Sequence, residues 1–183
     1  MPPDSLPFDL KTDIVVVDFN DADSAAAITA RRHGASIIVL EKQAANRHTP
    51  STRMSGGLVM GVNDAALAST YLDRCAGGMI PAELSDVWAR RAVGVIDWLH
   101  SVDPALNLSR IGGAEHPELP GSAGIDVYQP GGARQRLDPN GKAGTFLFAG
   151  LARGVLASGA QVVWEAPAHR LIRSASGAQV IGV

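Results

Sequence analysis

Cysteine, aromatic residues and long apolar runs are all scarce in this 183-residue sequence, and each shortage removes a class of protein. Cys75 is the only cysteine, so no internal disulfide can form and nothing points to an oxidising compartment. Aromatics make up 5% of the chain, which leaves Ala, Val, Leu and Ile to build most of the core. No apolar run approaches the ~18 residues that span a bilayer. The start, "MPPDSLPFDLKTD", has neither a basic opening nor an apolar signal core, so a cytoplasmic location and no membrane partner are expected. Net charge is only −2, and neither sign is concentrated, which gives no footprint for nucleic acid. His33, His48, His100, His116 and His169 are scattered without metal-ligand spacing, and no G-x-S-x-G elbow marks a nucleophile. Cys75 has no motif around it and reads as a small buried core residue, and the Trp and Met residues read as packing.

What is present is a regular alternation at both ends. "DIVVV" is a short β-branched run of the kind buried on both faces of a parallel sheet. "DSAAAITARRHG" follows as a helix with small residues on one side, basic residues near its negative end and Gly34 as its stop. "ASIIVL" is a second strand, ended by Glu41. Beyond the glycine-containing connection at 43–62, Asn63 is expected to cap a helix running to about Cys75, terminated by Gly77 and Gly78. "PAELSDVWARRAVGVIDWLHSV" reads as one longer amphipathic helix, with Leu84, Trp88, Ala92, Val95 and Leu99 near one face. Residues 103–142 are rich in Gly and Pro, with "GIDVYQ" a strand candidate and "LDPNGK" a turn. A helix "AGTFLFAGLARGVLASG" and three strand candidates, "AQVVWE", "HRLIRS" and "AQVIGV", close the chain, with "SASG" as a hairpin turn.

The turn between the first strand and helix is the anomaly. A dinucleotide-binding unit places glycines there, in the order G-x-G-x-x-G, because the chain must turn tightly, approach a pyrophosphate and pack helix on strand. The corresponding positions are Asp18, Asn20 and Asp23, with a further acid at Asp21. Asp and Asn tolerate left-handed backbone, so the turn itself can survive. The carboxylates, however, satisfy the helix N-terminus and repel a diphosphate. "DFNDAD" is not a calcium loop either, since Ala22, Asp23 and Thr29 break that pattern at its fifth, sixth and twelfth positions. No metal is expected, and at least one of Asp21 and Asp23 is expected to cap the helix.

"DIVVV…SAAAITARRHGASIIVLEK", followed by "TPSTRMSGG" and closed by "AGTFLFAGLARGVLASGAQVVWEAPAHRLIRSASGAQVIGV", resembles the N-terminal portion of FAD-dependent flavoproteins of the fumarate reductase/succinate dehydrogenase and 3-ketosteroid dehydrogenase group. The resemblance covers roughly residues 13–62 and 142–183. It implies an α/β fold: a Rossmann-like FAD-binding domain portion, residues 1–62 and 142–183, interrupted by a mostly helical insertion at 63–141. It implies FAD as cofactor, with Glu41 holding the adenosine ribose and Lys42 beside it. Ser55, Gly56 and Gly57 would lie against the flavin and its phosphates, Thr52 and Arg53 would donate to phosphate or flavin oxygens, and backbone near Ala168 would meet the adenine. The fingerprint positions Asp18, Asn20 and Asp23 complete the set.

The activity so implied is dehydrogenation or reduction of a small organic substrate, with hydride passing through flavin N5. The family's substrate-capping and C-terminal segments have no match here, so a second chain, or a longer parent chain, would complete the fold. No motif selects a catalytic residue among Tyr71, Tyr128, Arg134 and Arg136. The acidic turn keeps a different reading open: a non-catalytic descendant that has lost FAD and serves as a partner-binding or structural subunit.

Overall fold

A computed structural model describes residues 8–131 and 143–183, arranged as two compact units: Met1–Ser51 with Leu151–Val183, and Thr52–Gly150. Arg134, Arg136, the "LDPNGK" turn and the first seven residues of the leader lie outside the described residues.

The first unit is the β-α-β unit expected from its period and stops, except that β1, expected to be buried on both faces, ends the sheet order with Ile14, Val15 and Val17 exposed. Strand β1 (Ile14–Val17) leads through helix α1 (Asp21–Arg32) to β2 (Ile37–Leu40), and the two strands pair in parallel from Ile14 opposite Ile37 to Val17 opposite Leu40. Gly34 lies just past α1 at φ +87°, a conformation glycine adopts without penalty. After the last helix of the chain, β6 (Gln161–Val163) adds in parallel on the far side of β2, giving the order β1-β2-β6. All three strands are short, yet Ile37, Ile38 and Val39 are buried, as a central parallel strand requires. Ser24, Ala27 and Ile28 of α1 are buried in the same unit, the small Ser24 and Ala27 allowing close helix–sheet approach. Arg31 ties down the ends of the elements, donating from Nε to Ser158 O at 2.9 Å and from Nη1 to Ala35 O at 2.8 Å. The terminal hairpin of β7 (Ile172–Arg173) and β8 (Val180–Gly182) turns at Ser174–Gly177, where Gly177 has φ +72°.

The second unit joins helices to an antiparallel sheet. It contains the short helix α2 (Ser51–Met54), strand β3 (Val59–Val62), and helices α3 (Ala65–Ala76), α4 (Ala82–Ala92) and α5 (Val95–Val102). Strands β4 (Leu108–Gly113) and β5 (Ile125–Pro130) follow. Its sheet runs β3-β5-β4, so the Gly/Pro-rich stretch contains two strands rather than the single candidate "GIDVYQ". Val62, Ala68, Tyr71, Ala89 and Ile125 form its core, with Trp88 and Leu119 packed against them. Each large side chain buried there contributes roughly 1.5–3 kcal/mol. The Tyr71 hydroxyl reaches through this core to accept from His116 N at 3.2 Å.

Four local expectations are corrected. Asp64, not Asn63, caps α3, accepting from Ala66 N and Leu67 N, because Asn63 instead donates to the Asp126 carboxylate at 3.0 Å. The single helix over 81–102 is two, since Val93 and Gly94 interrupt it between α4 and α5. Cys75 is exposed, because it lies in the last turn of α3 beyond the buried stretch of Ala68 and Tyr71. Met54, Met60 and Met79 are likewise exposed and not packing residues.

Helix α6 (Ala143–Ala157) starts in the second unit, and Gly159 at φ +78° follows its end. Gly144, in its first turn, has no room for a side chain: a Cβ there would collide with Thr52 O and would lie 2.6 Å from Ser55 O. Gly144→Ala is therefore expected to destabilise the chain by about 1–3 kcal/mol, the usual cost of overpacking against backbone, read as a fall in the thermal midpoint.

Asp126 gives a second test. The Asn63 hydrogen bond, and then Arg110, whose Nε lies 2.6 Å from Oδ1, hold its carboxyl below the ordinary value of 3.8 against the opposing effect of burial. A depressed folded value means that stabilisation is complete above the unfolded value and is lost as pH falls through the folded one. The loss of stability in Asp126→Asn, measured by urea midpoints, is expected to be full at neutral pH and to shrink below about pH 4.

Candidate functional site

The acidic turn folds as a self-satisfied cap. Asp18 takes the left-handed conformation, φ +85°, at the place where a dinucleotide turn carries its first glycine. Its N–H donates to Leu40 O at 2.8 Å, and its Oδ1 accepts from Phe19 N at 2.8 Å. Asn20 is the N-cap of α1, and it forms a capping box with Asp23. The Asn20 side chain accepts from Ala22 N at 3.1 Å and from the Asp23 amide, while Asp23 Oδ2 accepts from Asn20 N at 3.1 Å. Asp21 Oδ1 also accepts from Ala22 N at 2.9 Å. The amides of Phe19, Asn20, Ala22 and Asp23, which a phosphate would need, are thus spent on side chains of the turn itself. Partial burial, and then the charges of Asp18 and Asp21, raise the Asp23 carboxyl above its ordinary value, against the lowering effect of the Asn20 N–H. A further anion would add to that repulsion.

Glu41 lies at the tip of β2 and is completely buried. Its backbone is clamped by the loop after β6: Glu41 N donates to Val163 O at 2.9 Å and Ala166 N donates to Glu41 O at 2.9 Å. Oε1 accepts from Gln43 N at 2.7 Å. Oε2 lies 3.3 Å from His48 Nε2, with no aligned hydrogen bond to any described protein atom. His48 is itself buried and stacks on Phe19, ring centroids 5.5 Å apart at 12°, while Trp164 meets His48 edge-on at 5.2 Å. Phe19 is the residue between the first two fingerprint positions, so one aromatic group connects the turn to Glu41. The sequence reading missed Phe19, His48 and Trp164. The only signals were a buried-type residue inside a polar turn and a histidine seven positions past Glu41. Lys42 and Ala168 are both exposed, Ala168 lying in the loop two residues past the Ala166 contact.

Thr52, Arg53, Ser55, Gly56 and Gly57 belong to the second unit. Thr52 is buried in α2, and its carbonyl accepts from the Ser55 hydroxyl at 2.8 Å, which in turn accepts from Gly57 N at 3.0 Å. Arg53 is exposed, and its carbonyl lies 3.4 Å from the Thr145 hydroxyl. Gly56 is exposed, with its carbonyl accepting from Gln129 Nε2 at 3.1 Å and space beside its Cα. Gly57 is buried at φ +65°, and a Cβ there would run into the backbone of Ala143 and Gly144. Of the two glycines, Gly57 serves close packing onto α6, and Gly56 is the one open to a ligand.

Tested against FAD, these residues fit in part. The buried, incompletely bonded Glu41 carboxylate suits a ribose diol, and the exposed Gly56 backbone suits close approach. The turn Asp18–Asp23 does not fit a diphosphate, because its amides are already occupied and its charge has the wrong sign. Among the described residues no cluster of His, Cys, Asp and Glu could hold a metal ion, and no helix is long and apolar enough to cross a membrane.

Comparison with known proteins bears directly on this geometry. The family model for the FAD binding domain matches residues 22–183, beginning inside α1 just past the turn's Asp21. The 3-oxo-5-alpha-steroid 4-dehydrogenase of Comamonas testosteroni is 25% identical over 197 residues, covering 94% of this chain and 37% of that protein. The crystal structure of 3-ketosteroid-delta4-(5alpha)-dehydrogenase from Rhodococcus jostii RHA1, in complex with 4-androstene-3,17-dione, superposes with a TM-score of 0.77 at 19% identity, covering 96% of this chain and 42% of that one. An open-conformation flavocytochrome c3 fumarate reductase gives 0.62 at 16% identity, covering 89% and 28%. The chain thus spans about two fifths or less of the length of each, and the structural likenesses establish an α/β FAD-binding fold. FAD is the cofactor this fold is built for, and the chain belongs to the FAD binding domain family.

Proposed function

We propose that this chain is the N-terminal FAD-domain portion of an FAD-dependent oxidoreductase, a dehydrogenase or reductase of a small organic substrate. The observation that carries the reading is the β1-α1-β2 unit ending on the buried Glu41 carboxylate, whose Oε2 makes no aligned hydrogen bond. A desolvated carboxylate costs several kcal/mol unless something pairs with it, and a vicinal diol supplies two donors. The ketosteroid-dehydrogenase relatives favour a flat, apolar ketone as the substrate class. Residues 1–62 and 142–183 would then serve as the parts of the FAD domain and 63–141 as its helical insertion, in the cytoplasm. Glu41, Lys42, Thr52, Arg53, Ser55, Gly56, Gly57 and Ala168 are the proposed cofactor contacts. When bound, the flavin supplies the redox chemistry; the residues of this chain bind and orient it.

Two observations favour a second reading. The closed turn, together with the exposed Ile14, Val15 and Val17 on the edge strand β1, suits a fold retained as a partner-binding subunit.

Titration with FAD separates the two. Equilibrium dialysis up to millimolar FAD is expected to show saturable one-to-one binding, and Glu41→Ala is expected to weaken it about tenfold or more, the value of one or two charge-assisted hydrogen bonds. Absence of saturable binding would sink the oxidoreductase reading and leave the second.

A further inference from the structure

Asp18, Asn20, Asp23 and His48 all bind something inside the chain that a dinucleotide would otherwise bind. We infer that they form an internal plug: Asn20 and Asp23 occupy the diphosphate's place on α1, and the Phe19–His48–Trp164 group seals the ribose carboxylate. FAD binding in this chain is therefore an exchange reaction, in which the cofactor must displace the protein's own anions and aromatic cover. This inference rests on the FAD reading above and adds to it the cause of weakened affinity.

Two independent observations support the plug. The first is the use of amides: Asn20 N donates to Asp23 Oδ2, and Ala22 N and the Asp23 amide donate to the Asn20 side chain, so no helix-start donor among these three points at an open anion site. The second is Glu41, fully buried, with Oε2 held 3.3 Å from His48 Nε2 and lacking an aligned hydrogen bond. That oxygen is a recognition group facing an imidazole in place of a hydroxyl. Asp18 joins the two parts, because its left-handed backbone sets the direction of Phe19, and Phe19 stacks on His48.

A diphosphate entering this turn would meet three carboxylates, Asp18, Asp21 and Asp23, before it met a free amide. Displacing the Asn20 and Asp23 side chains also opens the capping box, so part of the binding energy is consumed in refolding the start of α1. A protein whose competent state is a minor one binds with affinity reduced by that fraction.

The test is to restore the fingerprint. D18G/N20G/D23G should bind FAD about 100-fold more tightly than the parent chain, about tenfold from removing two carboxylates and the rest from freeing the amides that the Asn20 and Asp23 side chains occupy. Because three glycines can weaken α1, D18N/D23N serves as a second variant: it keeps the side-chain shapes, removes both charges and should gain about tenfold. Circular dichroism and thermal melts establish that each variant is folded. FMN, which lacks the adenosine half, should show no gain, and ADP should compete with FAD on the glycine variant. Equal FAD affinity in the parent and both folded variants overturns the plug while leaving the oxidoreductase reading intact. A gain of equal size for FMN also overturns it, because the effect would then lie away from the adenosine end. If the parent chain does not bind FAD the oxidoreductase reading falls, and if the folded variants do not bind it either the plug falls with it.

Discussion

The first amides of a helix have to be given to an acceptor, and in this chain that obligation is met from within. Asn20 and Asp23 satisfy the start of α1 as a capping box, a device worth about 0.5–2 kcal/mol to the helix. Much of the first unit follows from that choice. With the cap closed, Asp18 can hold φ +85°, the chain can turn directly from β1 into α1, and Phe19 is driven inward onto His48. A glycine turn would leave the same amides open to a ligand. Here the fold gains a stable helix start, and the phosphate loses its place.

The same substitution explains why Glu41 tolerates full burial. A carboxylate at the end of a parallel strand normally faces solvent or a ligand. In this chain Gln43 N, the His48 imidazole and the clamp between the β2 and β6 loops surround it. Aromatic packing of Phe19, His48 and Trp164, each pair worth about 0.5–1.5 kcal/mol beyond its buried area, closes the side that would otherwise admit water. Turn and carboxylate are therefore coupled through one ring.

Elements governed by local rules were readable from the sequence. The β-α-β unit declared itself through β-branched runs, a small-residue helix and Gly34, and the loss of the three fingerprint glycines was visible directly at Asp18, Asn20 and Asp23. What escaped depended on partners distant in sequence. Asn63 had the right chemistry to cap α3 but was claimed by Asp126, 63 residues away, leaving Asp64 to do it. β4 lies in "LSRIGG", whose glycines resemble a loop until β5 pairs with it. The break at Val93–Gly94 was hidden by an apolar stripe that continues in phase across it. Phe19, His48 and Trp164 come from three separate connections, and no spacing rule relates them.

Fold and cofactor respond to different constraints at this turn, which is why one can persist while the other is weakened. The sheet needs only that β1 and β2 stay parallel and that α1 cross between them, and Asp18 with an Asn20 cap meets that need as well as glycine does. A diphosphate needs vacant amides, a Cβ-free approach and no negative charge, and positions 18, 20, 21 and 23 fail all three. Neither Glu41 nor Gly56, both proposed contacts of the cofactor, has to change for the turn to close.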